Sequence, residues 1–260
     1  MDTAIESKEQ PQPVAQRPRQ VHTITDRFSM ANTYVIDDGQ LVVVDPGSEL
    51  NVQQLLTYLR DFLRRDPGEI DLVALTHLHP DHTAGLRMLR QASRAPVAAS
   101  IVARWLAQSD TDETQREGRN LAEIVSGTSV FVGNMFSQVR LSGTLHRLDN
   151  VSSNYQRQAE LVDLWIEDVH GLPGHPDWRV IASPGHTPDS LCFYNPFSYE
   201  LICGDTLITL DGGAILVRGG TNRHKLQQTL QTLQSLKVYY LYPGHGRPIL
   251  AQRALARIEW

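Results

Sequence analysis

The run Thr76-His77-Leu78-His79-Pro80-Asp81-His82 limits what this chain can fold into more than any other stretch, because three imidazoles and a carboxylate follow directly on an apolar segment. A plain turn has no use for so many lone pairs. Imidazole and carboxylate together suit zinc, iron or manganese. On an extended backbone His77 and His79 project the same way, and Asp81 and His82 then face a second position.

Three further ligand candidates stand where an apolar run ends in a glycine-containing turn. His186 follows WRVIA in SPGHT, Asp205 follows LIC in GDT, and His245 follows VYYLY in PGHG. Four strand ends therefore offer metal ligands. In sheets flanked by helices, the carboxyl ends of strands are where loops converge and ligands bind. His77, His79, Asp81, His82, His186, Asp205 and His245 accordingly read as one metal site.

HLHPDH, PGHT, GDT and PGHG, in this order and each after a strand, resemble the metallo-β-lactamase-fold hydrolases over roughly residues 21 to 250. The stretches SPGHTPDSLCFYNP and LICGDTLI are most similar to the glyoxalase II side of that superfamily. The resemblance implies an α/β fold, an αββα sandwich of two mixed sheets flanked by helices. It also implies two divalent cations, zinc first, with iron or manganese as alternatives. One would take His77, His79 and His186, the other Asp81, His82 and His245, with Asp205 bridging them. Asp81 and Asp205 are the catalytic carboxylates in this reading, and Asp45 of LVVVDPG buttresses the metal loop from behind. Cations roughly 3.5–4 Å apart share a water and deliver it as hydroxide near neutral pH, so no serine or cysteine nucleophile is required. Esters, thioesters and lactones are the expected substrates.

Two departures from glyoxalase II refine the expectation. Its helical extension with basic residues for glutathione has no counterpart in the fifteen residues after His245, so hydroxyacylglutathione is not the expected substrate. About a hundred residues separate His82 from His186, which implies an insertion at about 101–158. Two other functions compete. Persulfide dioxygenases share the motifs but use one iron, at positions matching His77, His186 and Asp205. A non-catalytic binding protein on the same fold is disfavoured, because no ligand is missing.

Composition narrows the class further. With 260 residues, 41% of them hydrophobic, the chain can bury one large core, expected over residues 21–260 behind a flexible polar tail of residues 1–20. A net charge of −5 and a pI near 6.0 argue against nucleic acid as a partner. A small molecule is the expected partner, and the pattern is silent on oligomeric state. Two cysteines, Cys192 and Cys203, are too few for a disulfide framework, and no apolar run has membrane-spanning length. A cytoplasmic protein is expected. The cysteines read as buried core, the alternative being that Cys203 approaches the site.

Periodicity supplies the elements. VHTIT, TYVIDD and LVVVDP read as strands, with Asp38-Gly39 as a hairpin turn. Helices are expected over Asn51 to Arg64, Ala84 to Gln91 and Lys225 to Leu236, and strands at Leu72 to Leu75, LVDLWIED, WRVIA, SLCFYN, LICGD and VYYLY. Residues 101–158 break this pattern. Ile101, Val102, Trp105 and Leu106 form one apolar stripe and Leu121, Ile124 and Val125 another, and with Phe131, Met135 and Phe136 they could pack on the sandwich or cover the site. Arg218, Arg223 and His224, with Lys225, form a basic loop after the Asp205 strand that could hold a substrate carboxylate or phosphate. His22, His146, His170 and His175 read as solvated surface residues.

Overall fold

Four consecutive apolar residues, Leu41-Val42-Val43-Val44, form a strand that is buried on both faces, and the layering of the molecule follows from where each face goes. In the computed structural model, which describes residues 21–25, 31–109, 155–167, 171–210, 213, 215–217, 220, 222–250 and 254–259, this strand lies inside a six-stranded sheet. The sheet runs in chain order through β1 (Val21–Thr25), β2 (Asn32–Asp37), β3 (Leu41–Val44), β4 (Ile70–Ala74), β5 (Val97–Ser100) and β6 (Leu164–Ile166). The first three pair antiparallel, β2 with β3 around the expected turn at Asp38-Gly39, and the rest join in parallel.

The second six-stranded sheet contains β7 (Gly171–Leu172), β8 (His175–Ala182), β9 (Leu191–Asn195), β10 (Glu200–Gly204), β13 (Tyr240–Pro243) and β14 (Ile249–Leu250). Here β10 and β13 are parallel neighbours, and β8 runs the same way two strands from β10. A third, three-stranded sheet of β11 (Leu207–Thr209), β12 (Ile215–Val217) and β15 (Ile258–Glu259) was not anticipated from the sequence.

Three buried clusters fill the spaces between layers. Leu41 and Val43 of β3 meet Val52, Leu55 and Leu59 of the first helix and Leu86 and Leu89 of the third. Val42 and Val44, one residue out of phase, meet Trp178, Phe193, Ile202 and Tyr242 of the second sheet. On that sheet's far side, Cys192, Leu201 and Cys203 pack under Leu226, Leu230 and Leu233. Helix, sheet, sheet, helix is thus the order of layers, the αββα sandwich read from the sequence.

The helices differ from expectation mainly at their ends, where capping decides. Helix α1 (Glu49–Tyr58) begins early because Ser48 Oγ accepts from the Asn51 N–H, and it continues as a π-helical turn through Leu63. Helix α2 (Pro80–Thr83) starts inside the histidine run, since Pro80 suits the first helical position, and α3 (Leu86–Ser93) follows it. Helix α4 (Ile101–Ser109) carries the first insertion stripe, with Leu106 packed on the core and Trp105 exposed. Helix α5 (Arg223–Gln234) starts two residues before the expected Lys225, because Asn222 Oδ1 accepts from the Lys225 N–H. Of LVDLWIED, Leu164–Ile166 form β6, and just before it Asp163 is bonded to Val97 through both its backbone N–H and its carboxylate.

His175 corrects an expectation of solvation. It is buried at the start of β8, with Nδ1 3.4 Å from Asp38 Oδ1 at the β2–β3 turn. His22 is half-buried against Tyr58, whose hydroxyl lies 3.0 Å from its Nδ1. His146, His170, the tail of residues 1–20 and the insertion stripe of Leu121, Ile124, Val125, Phe131, Met135 and Phe136 lie outside the described residues. Among those described, no helix is long and apolar enough to cross a membrane.

Candidate metal centre

Five strands end at one edge of the sandwich. β3 delivers Asp45, β4 the histidine run, β8 His186, β10 Asp205 and β13 His245. Backbone bonds lock the two sheets together there, Leu191 N–H to Thr76 O at 2.8 Å and Asn32 N–H to Gly244 O at 2.8 Å, and within the second sheet Gly244 N–H donates to Gly204 O at 2.7 Å. Only glycine fits at position 244. A Cβ there would lie 2.3 Å from Asp205 Oδ1 and 2.9 Å from His82 Cε1.

The structure gathers all seven expected ligands into two groups that share one residue. His77, His79, His186 and Asp205 form the first, Asp81, His82, His245 and Asp205 the second, each with its ligand atoms within 4.8 Å of one another. Asp205 divides its oxygens between them. Oδ2 is 3.3 Å from His186 Nε2, whereas Oδ1 is 3.2 Å from His82 Nε2 and 3.4 Å from His245 Nε2. His245 Nε2 also approaches Asp81 Oδ2 at 3.1 Å, and His186 Nε2 lies 3.2 Å from His79 Nδ1. His77, His82, His186 and Asp205 are buried, while His79, Asp81 and His245 are partly exposed and mark the open side.

Behind the ligands, Asp45 is committed to support. Its Oδ1 accepts the Thr76 N–H at 2.8 Å, and its Oδ2 accepts the Thr76 hydroxyl at 2.6 Å and faces His82 Nδ1 at 3.0 Å. A carboxylate at Nδ1 keeps the proton there and leaves His82 Nε2 to ligate. Thr76 repeats the device one step further. Having given its proton to Asp45, its Oγ1 can accept from His77 Nδ1 at 3.0 Å, which turns the lone pair of His77 Nε2 toward the centre. Asp45 thus contacts the histidine run from behind, where the resemblance implies a buttress, and Thr76 is a partner that the reading of the run left without a role.

Protonation follows from this crowding. Burial, reinforced by neighbouring imidazoles, lowers the pKa of His77, and burial lowers that of His79. Burial opposes charge on His82 and His245 too, yet Asp205, joined by Asp81, raises both. Asp81 and Asp205 stay ionised well below the usual carboxylate range, because His82 and His245 outweigh their desolvation.

This donor set fits metal ions. His77 Nε2 is fully buried and has no hydrogen-bond partner, an arrangement that costs about 1–3 kcal/mol unless something takes the lone pair. Two ligand atoms about 2.0–2.1 Å from one ion at a tetrahedral angle stand about 3.3 Å apart. The closest contacts within the groups, 3.1–3.4 Å, match that separation. Cations would also take over the charge balance that imidazolium provides for Asp81 and Asp205.

The remaining candidates separate. Cys203 faces the α5 side, with Sγ near the carbonyls of Leu207 and Tyr242, so it is core and does not approach the site. Of the basic loop, Arg218 lies outside the described residues, and Arg223 and His224 are exposed on the first turn of α5. The loop does reach the centre through Gly220, where a Cβ would come within 2.2 Å of His186 Cα. Asp189 escaped the sequence reading although it lies in the quoted stretch SPGHTPDS. It is buried and bonded to the backbone of the histidine run, and a carboxylate three residues after a ligand was the signal available.

Comparison with known proteins agrees with this geometry. The model of the metallo-beta-lactamase superfamily matches residues 26–245. The beta-lactamase-like protein 2 homolog of Drosophila melanogaster is 25% identical over 230 residues, covering 88% of this chain and 62% of its own length. A hydroxyacylglutathione hydrolase of Idiomarina loihiensis is 25% identical over 215 residues, 83% of this chain and 57% of that protein. The chain thus spans about six-tenths of the length of these curated relatives. Among solved structures, TTHA1623 in a di-iron-bound form shares the fold at a TM-score of 0.57 and 23% identity, over 88% of this chain and 94% of that one. With the family model spanning most of the chain and the two ligand groups at the strand ends, this protein belongs to the metallo-beta-lactamase superfamily.

Proposed function

We propose that this protein is a dinuclear metal-dependent hydrolase of esters, thioesters or lactones. The observation that carries the reading is the division of Asp205, one oxygen toward His186 and the other toward His82 and His245. His77, His79 and His186 would hold one ion, Asp81, His82 and His245 the other, and Asp205 both. Zinc is the first choice, with iron or manganese suited to the same ligands. When bound, two such ions acidify a shared water, polarise the substrate carbonyl and stabilise the leaving oxygen or sulfur.

The residues of the chain do the rest. Asp45 and Thr76 fix the ligating faces of His82 and His77. Asp205 stays ionised and keeps the two groups in register. His79, Asp81 and His245 form the side from which substrate enters. Neither cysteine competes as nucleophile, because both are fully buried, and burial pushes the Cys192 thiol up to about 11. The di-iron-bound neighbour supports two metals, and the hydroxyacylglutathione hydrolase supports the thioester class.

The test is metal content together with turnover. Protein purified without chelator should carry two ions per chain and hydrolyse members of an ester, thioester and lactone panel, losing activity with chelator and regaining it with zinc. One iron per chain with sulfite released from glutathione persulfide would replace this reading with a mononuclear dioxygenase.

A further inference from the structure

Asp189 is a fully buried carboxylate that the hydrolytic reading does not use. Its Oδ2 accepts the N–H of Leu78 at 3.2 Å, and its Oδ1 accepts the hydroxyl of Tyr155 at 2.9 Å. Leu78 lies between His77 and His79, and Asp189 follows His186 by three residues. One side chain therefore ties the loop that supplies two ligands of the first group to the loop that supplies the third. Asp45 serves the other side of the run, through Thr76 and His82. The two carboxylates grip the histidine run from opposite strand ends, one at β3 and the other beyond β8.

We infer that Asp189 is a positioning residue for the metal group of His77, His79 and His186, and that Tyr155, where the chain returns from residues 110–154, holds Asp189 in place. Three points support it. Asp189 bonds the N–H between His77 and His79 of the first group, whereas Asp45 bonds His82 of the second directly. Tyr155 is itself buried against the core, so its hydroxyl is a fixed donor. A carboxylate buried at this depth is costly without nearby positive charge, and a cation among the first-group imidazoles would supply it. Burial raises the Asp189 carboxyl, partly offset by bonds from Thr187 and Tyr155 and by His79. Segment 101–158 is thereby anchored to the metal loops at its carboxyl end, whatever else it does.

The inference rests on the two-group metal reading, and its test separates the two. Zinc is titrated into the metal-free full chain against a chromophoric chelator, for the parent, Asp189→Asn and Tyr155→Phe. Partners of this kind typically contribute about 10–100-fold in metal affinity. Asp189→Asn should weaken one binding step at least about 10-fold and leave the other within about twofold, with Tyr155→Phe weakening the same step less. In a His245→Ala background, which keeps the first group whole, Asp189→Asn should produce the same loss. Both steps unchanged, or both weakened alike with a lower melting temperature of the metal-free chain, would overturn the assignment. If the parent binds one ion per chain in a single step, the dinuclear reading fails. The inference then holds if Asp189→Asn weakens that step and falls if it does not. Tyr155→Phe, which removes one hydroxyl from an otherwise intact ring, keeps the test valid should Asp189→Asn fold poorly.

Discussion

At the scale of single residues, the shared carboxylate should be the most sensitive position. Asp205→Asn leaves an amide that bridges two cations poorly, so elemental analysis should find both ions lost or weakly held. Hydrolysis should fall by about two orders of magnitude or more, beyond the loss typical of one outer-shell partner. Full metal content with full thioester turnover would remove Asp205 from its bridging role. Asp45→Ala acts one shell out. It strands the buried Thr76 N–H and hydroxyl, each at about 1–3 kcal/mol, and releases His82 Nδ1, so zinc affinity should fall about 10–100-fold. Chelator competition and thermal melting measure the two effects separately. The seven residues that cluster were legible because histidine and aspartate at strand ends have few other uses. Asp189 and Thr76 were not, since an aspartate beside Pro188 or a threonine before a histidine reads equally well as turn chemistry. Only the distances to Leu78 and His77 distinguish them.

At the scale of elements, most long strands followed from apolar runs and turn residues, although β5 did not, whereas helix boundaries were decided by caps that periodicity does not register. Ser48 and Asn222 each extended a helix by holding a backbone N–H, and Pro80 opened one inside the ligand run. Helix α5 covers the outer face of the second sheet with Leu226, Leu230 and Leu233. Leu230→Ala should lower unfolding free energy by about 2–5 kcal/mol through the cavity it leaves, seen as a reduced denaturation midpoint. The metal count should stay at its parent value, because Leu230 belongs to the cluster of Cys192 and Cys203 and is none of the clustered donor residues. Loss of metal at parent stability would reverse that division of labour. The three-stranded sheet was illegible for a related reason: β12 and β15 are short and pair across some forty residues, which no local pattern announces.

At the scale of the whole molecule, the site is a seam between two sheets, so metal binding and global stability should be linked. An ion present at about 100 times its Kd stabilises the folded chain by about 2.7 kcal/mol, which for a chain of this size corresponds to a melting shift of about 5–10 °C. Chelation should lower the melting temperature by at least that much while far-ultraviolet circular dichroism stays that of an α/β protein, because the three apolar clusters are built from side chains other than the candidate ligands. Unfolding of the metal-free chain at ambient temperature would show the metals to be structural. The sequence by itself determined the donor types, their order along the chain and the unbroken apolar run that suits β3 to burial on both faces, since these are properties of neighbouring residues. The tertiary structure alone decided that Asp205 points one oxygen at each group, that Asp45 and Asp189 hold the histidine run from two sides, and that Gly220 brings the α5 loop against His186. Each of these depends on distances between residues about twenty to more than a hundred positions apart, and such distances are set by how the sheets and their loops pack.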